Sequence, residues 1–311
     1  MQVYTQIADF KKLPNAIVTQ GTFDGVHAGH KKILSRLSER ALALKGESVV
    51  LTFFPHPRMV LFPHDENIKL INTLEENIKL LSETGIQHLI VLEFTPAIAS
   101  LTALQLVRDI LVNAIGTRHF IIGYDHRFGH NRAGSYENLK EFSEIYDFTL
   151  EKVGEVEIND ITVSSTKIRR ALLQGDIETA TDYLQHRFTL RGIVTEGNKL
   201  GRTLGFPTAN FSIQEKYKII PADGVYAVQV IINEMQYGGM LNIGNRPTIG
   251  GLTRVLEVNI FNFEADIYGE LIEVAFIKRI RHEQKFASME ELQRQLFIDR
   301  NTVNELLISR G

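Results

Sequence analysis

Short apolar runs alternate with amphipathic stretches along the first half of the chain. Buried strands are predicted at residues 16–19, 48–54, 88–94 and 119–124. The spacing of apolar residues predicts helices at 31–44, 74–81, 102–115 and 166–174. The last helix has Ser164 or Ser165 as a cap and Gly175 just past its end. Strands that alternate with helices indicate βαβ units, and therefore a mostly parallel sheet covered on both faces.

The pattern changes after His186, where strand-like runs follow one another without helices between them. They are predicted at 188–195, 225–232, 240–243, 255–263 and 271–280, separated by clusters of Gly, Pro and Asn. Consecutive strands with such turns predict a small antiparallel barrel. We therefore predict two domains, residues 1–186 and 187–311.

A last helix is predicted to begin at Ser288, with Glu291 three residues later as the second member of a capping box. Its apolar residues are expected to pack on the barrel rather than to bind a partner: Leu292, Leu296, Val303, Leu306 and Leu307.

The composition of the 311 residues, with 44% hydrophobic and 23% charged, is that of a globular protein of about two domains. There is no cysteine, which excludes disulfides and thiolate zinc sites and fits a reducing compartment. No apolar run approaches the roughly 20 residues that cross a bilayer. We therefore expect a cytoplasmic protein that has no membrane partner.

The charges are balanced along the chain. Residues 187–311 carry 15 Lys and Arg against 14 Asp and Glu, and residues 1–186 carry 19 against 23. Neither half is basic enough for the electrostatic capture of a nucleic acid. Phosphate groups, if they are bound, must therefore be held locally, by particular loops and helix ends.

One such loop, at residues 21–30, lies between the first predicted strand and the first predicted helix. Ligands of open α/β sheets bind at the carboxyl ends of the strands, and a helix N-terminus favours phosphate. The loop contains His-x-Gly-His, in which His27 and His30 can donate to one phosphate group. A pair of helix-capping histidines is the alternative. A metal site lacks a convincing third ligand in the sequence.

A second loop, at residues 197–210, contains three glycines and two basic residues but no Walker A motif. Its composition suits a flap that covers phosphates. The oxygen atoms of Thr208 and Asn210 are suitable ligands for Mg²⁺. A turn-rich loop of the barrel would explain the same residues nearly as well.

The motifs of both halves resemble those of the bacterial bifunctional riboflavin kinase/FAD synthetases. Residues 14–186 resemble the adenylyltransferase module through motifs at 21–30, 52–57, 123–129 and 164–169. Residues 187–311 resemble the kinase module through motifs at 197–210, 221–226, 242–248 and 256–263. The resemblance implies an α/β nucleotidyltransferase domain, Rossmann-like, followed by a small antiparallel Greek-key β-barrel with a C-terminal helix.

By this resemblance, the protein phosphorylates riboflavin to FMN and adenylylates FMN to FAD, using ATP and Mg²⁺ and releasing pyrophosphate in the second step. Its expected partners are riboflavin, FMN and ATP, and we expect a monomer or a weak homo-oligomer.

The resemblance also implies roles for residues of the first module. His27 and His30 bind the ATP phosphates and stabilise the transition state. Further ATP- or phosphate-binding residues are Gly21, Thr22, Phe23, Asp24, Gly25, Ser165, Thr166 and Arg169. The flavin or nucleotide pocket contains Phe54, His56 and Asp125. The Pro-His-Pro sequence around His56 is equally explained as a rigid turn. Position 126 is His where the family more often has an aromatic residue, so we assign it no stacking role.

In the second module, Glu257 matches the catalytic glutamate of the family, which accepts the proton of the substrate hydroxyl. An exposed strand glutamate is the alternative. The flap residues are Gly197, Lys199, Gly201, Arg202, Gly205 and Pro207, and the Mg²⁺ ligands are Thr208 and Asn210. Two positions depart from the commonest pattern: Asn259 stands where His is frequent, and Asn262 where Asp is frequent.

Two other functions fit part of the sequence. Nucleotidyltransferases that act on pantetheine phosphate or nicotinamide mononucleotide share His-x-Gly-His, but they leave the second module without a purpose. A non-catalytic flavin-binding protein would not require the complete set of His27, His30, Thr208, Asn210 and Glu257.

Overall fold

The computed structural model describes residues 1–65, 67–124, 128–129, 134–159, 161–197, 201, 204–248 and 251–309. The chain divides into two compact units, Met1–Ser165 and Thr166–Gly311. The predicted domain boundary at residues 186 and 187 stays a prediction, because the helices between 165 and 184 are assigned to the second unit by their contacts.

The first unit contains a sheet of parallel strands with helices between them. Its strands are β1 (Gln2–Tyr4), β2 (Ala16–Gln20), β3 (Glu47–Phe54), β4 (His88–Glu93), β5 (Thr117–Gly123) and β6 (Thr149–Val153), followed by a small hairpin of β7 (Glu157–Ile158) and β8 (Ile161–Thr162). Its helices are α1 (Ala28–Ala43), α2 (Pro57–Leu61), α3 (Leu74–Ser82), α4 (Pro96–Ala99), α5 (Ala103–Gln105) and α6 (Tyr136–Tyr146). A 3₁₀ turn covers Ile7–Asp9, and α5 continues as a π-helix over Leu106–Ile115.

The strands of the main sheet are arranged in the order β1-β4-β3-β2-β5-β6, and each neighbouring pair is parallel. The chain moves outward from β2 through β3 and β4 on one side, and returns to β5 and β6 on the other. The order therefore reverses between β2 and β5. In such sheets the crevice outside the carboxyl ends of the strands at this point is where ligands bind.

Both faces of the sheet are covered, as predicted. In β2, Ala16 and Val18 belong to a core with the π-helix and α6, whereas Ile17 belongs to a core with α1 and α3. All three side chains are fully buried. Successive residues of β2 therefore face opposite sides of the sheet, as expected for a strand.

The second unit combines two helices, a barrel and a C-terminal helix. Its elements are α7 (Ser165–Gln174), α8 (Ile177–Leu184), β9 (Thr189–Thr195), β10 (Ala209–Ser212), β11 (Gly224–Ile232), β12 (Met235–Thr248), β13 (Gly251–Ile260), β14 (Leu271–Arg281) and α9 (Met289–Ser309). As predicted, Gly175 follows α7, with a φ of +74°.

The six strands close into a barrel in the order β10-β13-β12-β11-β14-β9, with antiparallel neighbours throughout. The order β14-β11-β12-β13 is a Greek key, because the fourth strand returns beside the first. The predicted fold class is thereby confirmed. Ala209 and Asn210, predicted to end the second loop, instead belong to strand β10 of the barrel.

The C-terminal helix packs on the barrel. Val303 is fully buried in a cluster with barrel residues, and Leu296, Leu306 and Leu307 pack against the same cluster. At the start of α9, the Glu291 backbone N–H donates to Ser288 Oγ (3.3 Å), which confirms Ser288 as the cap. Within the part of the chain that the structure describes, no helix is both long and apolar enough to span a membrane.

Candidate active sites

The histidines of the first loop lie at the junction between β2 and α1, at the N-terminus of the helix. His27 is the N-cap of α1, and its Nδ1 accepts a hydrogen bond from the His30 backbone N–H (3.4 Å). The two rings are stacked, with centroids 3.6 Å apart and an angle of 19° between the planes. A neutral imidazole that accepts at Nδ1 carries its proton at Nε2. The capping function therefore leaves His27 the tautomer that donates through Nε2.

The environment of His30 favours the neutral form of its imidazole. Burial, and then the neighbouring His27, hold the pKa of the His30 imidazole well below its ordinary value of 6.5. Its Nδ1 is shielded from solvent and has no hydrogen-bond partner among the described residues. A nearby phosphate charge would raise the pKa again, because an opposite charge favours the protonated form.

The loop between the strand and the helix has a tight backbone. Phe23, Gly25 and Val26 have φ values of +48°, +90° and +40°, and the side chains of Phe23 and Val26 are buried. Positive φ is strained for a β-branched residue such as Val26, and such strain persists only where the surrounding structure enforces it. The packing of these two side chains therefore fixes the path of the backbone towards His27.

Asp24 anchors this loop through hydrogen bonds to the segment of residues 71 and 72. Its buried carboxylate accepts hydrogen bonds from the backbone N–H groups of Ile71 (2.9 Å) and Asn72 (3.1 Å). Its carbonyl oxygen accepts from Ser165 Oγ (3.0 Å). Asp24 and Ser165, both predicted to bind ATP, are thus brought together at this loop, with the Asp24 carboxylate directed to the backbone.

A narrow cleft with about 20 Å³ of free volume lies beside the loop, which is smaller than a typical small-molecule site. It brings together Thr22, Asp24, Phe54 and His56 from the predicted set. The rest of its lining was not predicted from the sequence: Thr52, Phe53, Leu70, Asn72, Leu74, Asn77, Ile78, Leu81 and Leu89. His56 Nδ1 also accepts from the Arg58 backbone N–H (3.2 Å), and His56 is the N-cap of α2, so it combines a turn role with a place in the cleft lining.

Two of the remaining predicted residues, Thr166 and Arg169, lie on α7 and belong to the second unit. Asp125 and His126 lie outside the residues that the structure describes, as do Lys199 and Arg202 of the flap.

In the barrel, Glu257 of β13 lies between two asparagines on neighbouring strands. It is directly opposite Asn210 of β10 on one side and Asn242 of β12 on the other. The Cβ atoms of such pairs are typically about 4.5–5.5 Å apart, on the same face of the sheet. The flap motif and the strand with the candidate base therefore meet at one row of polar side chains.

The flap motif approaches this row closely. A Cβ atom on Gly197 would overlap the Asn210 side-chain amide, which would have to move to admit it. The Gly201 carbonyl accepts from the backbone N–H groups of Leu204 (3.1 Å) and Phe206 (2.8 Å). Gly205 has a φ of +80°, and Pro207 and Thr208 connect it to β10.

A second cleft within the same unit is lined by residues of two motifs, 221–226 and 242–248. Its lining is Leu173, Ala222, Asp223, Asn245, Arg254, Arg279, His282 and Glu283. Arg254 forms an ion pair with Asp223 (2.8 Å), and Arg279 donates to the carbonyl of Asp223 (2.8 Å). Arg254 and Arg279 were not predicted as site residues, since neither belongs to a motif recognisable from residue type alone.

Comparison with known proteins assigns both units to one family. The FAD synthetase family matches residues 9–167, and the riboflavin kinase family matches residues 184–307. The chain is 36% identical over 290 residues to the bifunctional riboflavin kinase/FMN adenylyltransferase of Escherichia coli K12, covering 93% of this chain and 92% of that protein. The chain belongs to the bifunctional riboflavin kinase/FMN adenylyltransferase family. It is a transferase that makes FMN from riboflavin and FAD from FMN.

Other relatives cover the chain to a similar extent. The Pseudomonas fluorescens bifunctional riboflavin kinase/FMN adenylyltransferase is 38% identical over 284 residues, covering 91% of this chain and 90% of that protein. A solved structure described as a macrolide-efflux protein from Streptococcus pneumoniae is 33% identical with a TM-score of 0.88, covering 97% of this chain and 98% of its own. The fold of the chain is therefore shared over almost its full length.

Proposed function

We propose that adenylyl transfer takes place at the loop of residues 21–30. The observation that carries this proposal is the stacked pair of His27 and His30 at the start of α1, beside the point where the strand order reverses. A phosphate oxygen of FMN attacks the α-phosphorus of ATP, and the bond to the β-phosphate oxygen breaks, so that pyrophosphate leaves. The chain's part in this reaction is to position both phosphates and to stabilise the charge that develops between them.

His27 and His30 supply that stabilisation from fixed positions. The cap bond and the ring stacking hold both imidazoles before substrate binds, so that little reorganisation is needed during the reaction. Asp24 acts on the loop rather than on phosphate, because a carboxylate repels phosphate and this one is held by two backbone N–H groups. Gly21, Thr22, Phe23 and Gly25 provide the backbone around the phosphates.

We infer that the flat ring of the flavin or of the adenine binds at the cleft beside this loop, which has to widen from about 20 Å³ to admit it. Its lining combines apolar side chains with polar ones, among them Thr22, Asn72 and Asn77, and this combination suits a flat ring that carries polar edges. We assign Phe54 and His56 to this pocket. Asp125 remains a prediction for it, and Ser165, Thr166 and Arg169 remain predictions for a second phosphate contact.

Phosphorylation of riboflavin is proposed at the row formed by Asn210, Glu257 and Asn242. Glu257 accepts the proton of the ribityl 5′-hydroxyl as its oxygen attacks the γ-phosphorus of ATP, and ADP leaves. The observation that carries this proposal is the direct cross-strand pairing of Glu257 with Asn210 of the flap motif. The flap residues Gly197, Lys199, Gly201, Arg202, Gly205 and Pro207 would cover the phosphates.

Thr208 and Asn210 are proposed to hold Mg²⁺ in this module. No group of three or more His, Cys, Asp or Glu residues in the described part of the chain is arranged to bind a metal. Two oxygen ligands from the protein suit Mg²⁺, which keeps several waters and is otherwise bound by substrate phosphates. When bound, the ion neutralises phosphate charge as the γ-phosphoryl group is transferred.

Riboflavin, FMN and ATP are the substrates that we propose. The cytoplasm remains our prediction for the location, since a chain without cysteine fits a reducing compartment. A monomer or weak homo-oligomer that binds neither nucleic acid nor membrane also remains a prediction.

The test is to incubate the purified protein with riboflavin, ATP and Mg²⁺ and to separate the products by chromatography. We expect both FMN and FAD, and neither product when EDTA replaces Mg²⁺. Parallel reactions with pantetheine phosphate and nicotinamide mononucleotide in place of flavin should yield no adenylylated product. Adenylylation of either of these acceptors, without FAD formation, would overturn the proposal.

A further inference from the structure

Three contacts fix the segment of residues 204–208, which leads into β10. The carbonyl of Pro207 accepts a hydrogen bond from Asn259 Nδ2 (2.6 Å), and the carbonyl of Leu204 accepts one from Gln293 Nε2 (3.0 Å). Between these two points, the ring of Phe206 is 1% exposed and packs edge-on against Phe297, with centroids 5.0 Å apart. The barrel and α9 therefore hold this segment from two sides.

The Asn259 contact comes from the strand that also carries the candidate base. Asn259 follows Glu257 by two residues on β13, so both side chains leave the strand on the same face. The Asn259 side chain is 5% exposed, and its backbone position pairs with Met240 of β12. A buried side-chain amide is costly unless it is hydrogen-bonded, which gives the contact with Pro207 a structural reason.

The position of the accepting carbonyl links this contact to Thr208. The Pro207 carbonyl belongs to the peptide group whose nitrogen is that of Thr208, and a peptide group is planar. Holding the oxygen therefore sets the orientation of the Thr208 N–H and the direction in which its Cα leaves the plane. Asn210 needs no such anchor, because the ladders to β9 and β13 already fix its backbone.

We propose that Asn259 is a positioning residue of the kinase site, which places Thr208 for the binding of Mg–ATP. This inference rests on the proposed role of Thr208 and Asn210. It also explains how the Pro207 carbonyl can be held when position 259 is Asn, where the family frequently has His. The side-chain amide supplies an N–H donor to the loop, as an imidazole can.

The test compares Asn259→Leu, which keeps the approximate volume and removes the donor, with Asn301→Leu, an exposed position on α9. Riboflavin phosphorylation is measured in the full-length protein at varied ATP, Mg²⁺ and riboflavin. In Asn259→Leu, we expect the KM for ATP and the Mg²⁺ concentration for half-maximal rate to rise about 10-fold, the order expected from one lost hydrogen bond. The KM for riboflavin should stay within about twofold, and Asn301→Leu should match the wild type.

Two further variants complete the design. Asn259→Ser is too short to reach the Pro207 carbonyl and is used if Asn259→Leu does not fold, and Asn259→His restores a donor and should recover most of the ATP affinity. Circular dichroism and thermal unfolding show whether the barrel is folded in each preparation, and conversion of supplied FMN to FAD shows that the first unit is unaffected.

A folded Asn259→Leu or Asn259→Ser variant with wild-type dependence on ATP and Mg²⁺ would overturn the inference. An equal weakening of ATP and riboflavin binding would also overturn it, since it would indicate a general packing role. Failure of the proposed kinase function is a separate result, because the wild-type protein would then make no FMN from riboflavin.

Discussion

Asn210 and Glu257 lie directly opposite each other in the antiparallel ladder between β10 and β13. Asn210 belongs to the flap motif and Glu257 is the candidate base, so the pairing brings together the two parts of the proposed kinase site. Because a register shift of one residue moves side chains to the opposite face, this pairing depends on the whole barrel being closed in register.

Replacing Glu257 tests the assignment of the base. Glu257→Gln keeps the size of the side chain but cannot accept the proton of the ribityl hydroxyl. We expect FMN production to fall by about 10²–10⁴-fold, with riboflavin binding weakened far less. Conversion of supplied FMN to FAD should be unchanged in the same preparation. A folded variant that phosphorylates riboflavin within a few-fold of the wild type would show that Glu257 is not the base.

The catalytic roles of His27 and His30 can be tested separately from the capping role of His27. His30→Ala should lower FAD formation by about 10²–10³-fold, the usual effect of losing a fixed charge-stabilising donor. His27→Asn retains an N-cap acceptor for α1 but lacks the imidazole Nε2, so it should fold normally and still lose FAD formation. Both variants should phosphorylate riboflavin at the wild-type rate. Near-normal FAD synthesis by His27→Asn would leave His27 as a cap only.

Glu151 connects α1 to the sheet and makes the stability of the first unit depend on pH. Its carboxylate on β6 accepts hydrogen bonds from Arg36 Nε (2.5 Å) and Arg40 Nε (2.6 Å) of α1 and contacts His119 Nε2 (3.1 Å) of β5. Burial alone would raise the pKa of Glu151, but the hydrogen bonds from these three side chains and the charge of Arg36 outweigh it and lower the pKa to about 2.

Because the pKa of Glu151 in the folded state lies below its ordinary value of 4.5, its stabilising contribution is complete above about pH 4.5 and is lost as the pH falls towards 2. Glu151→Gln should therefore destabilise the first unit by about 1–2 kcal/mol at pH 7, allowing for screening by solvent, and by less at pH 3. Thermal unfolding followed at both pH values measures this difference. Glu39→Gln removes the exposed partner of Arg36 and serves as the control. An effect of Glu151→Gln that is equal at both pH values would contradict the assignment.

The boundary between the modules can be measured with two fragments. Tyr183 and Leu184 of α8 are buried, and Lys278 of β14 forms an ion pair with Glu178 of α8 (3.0 Å). A fragment of residues 166–311 should therefore unfold at a higher Tm than one of residues 187–311, and both should phosphorylate riboflavin if they fold. Equal Tm values would place the boundary at residues 186 and 187, as the sequence predicts.

The fold could be predicted where the hydrophobic pattern is decisive. Strands β2 to β5 and the longer helical segments between them, α1, α3 and residues 103–115, have buried faces with a clear period, and their predicted ranges agree with the structure to within a few residues. Strand β6 was missed because its sequence, Thr-Leu-Glu-Lys-Val, carries charged residues at the centre of an edge strand. Strand β10 was missed because its four residues follow a turn-rich loop and are fixed only by pairing with β9 and β13.

The candidate sites likewise contain features that the sequence predicts and contacts that only the folded structure shows. The motifs predicted both loops, and the family resemblance predicted Glu257; their roles stay predictions. Neither the motifs nor the resemblance predicted that the Asp24 carboxylate would hold the backbone of residues 71 and 72, or that Asn259 would reach Pro207. Both contacts join residues distant in sequence and depend on the finished packing of the units.

The most direct test of two separate sites is complementation between folded variants. Neither His30→Ala nor Glu257→Gln alone should make FAD from riboflavin, ATP and Mg²⁺, since the first stops at FMN and the second makes none. An equimolar mixture should form FAD, as the FMN released by His30→Ala is adenylylated by Glu257→Gln. A mixture that accumulates FMN without FAD, or that forms neither product, would contradict the assignment of the two reactions to His30 and Glu257.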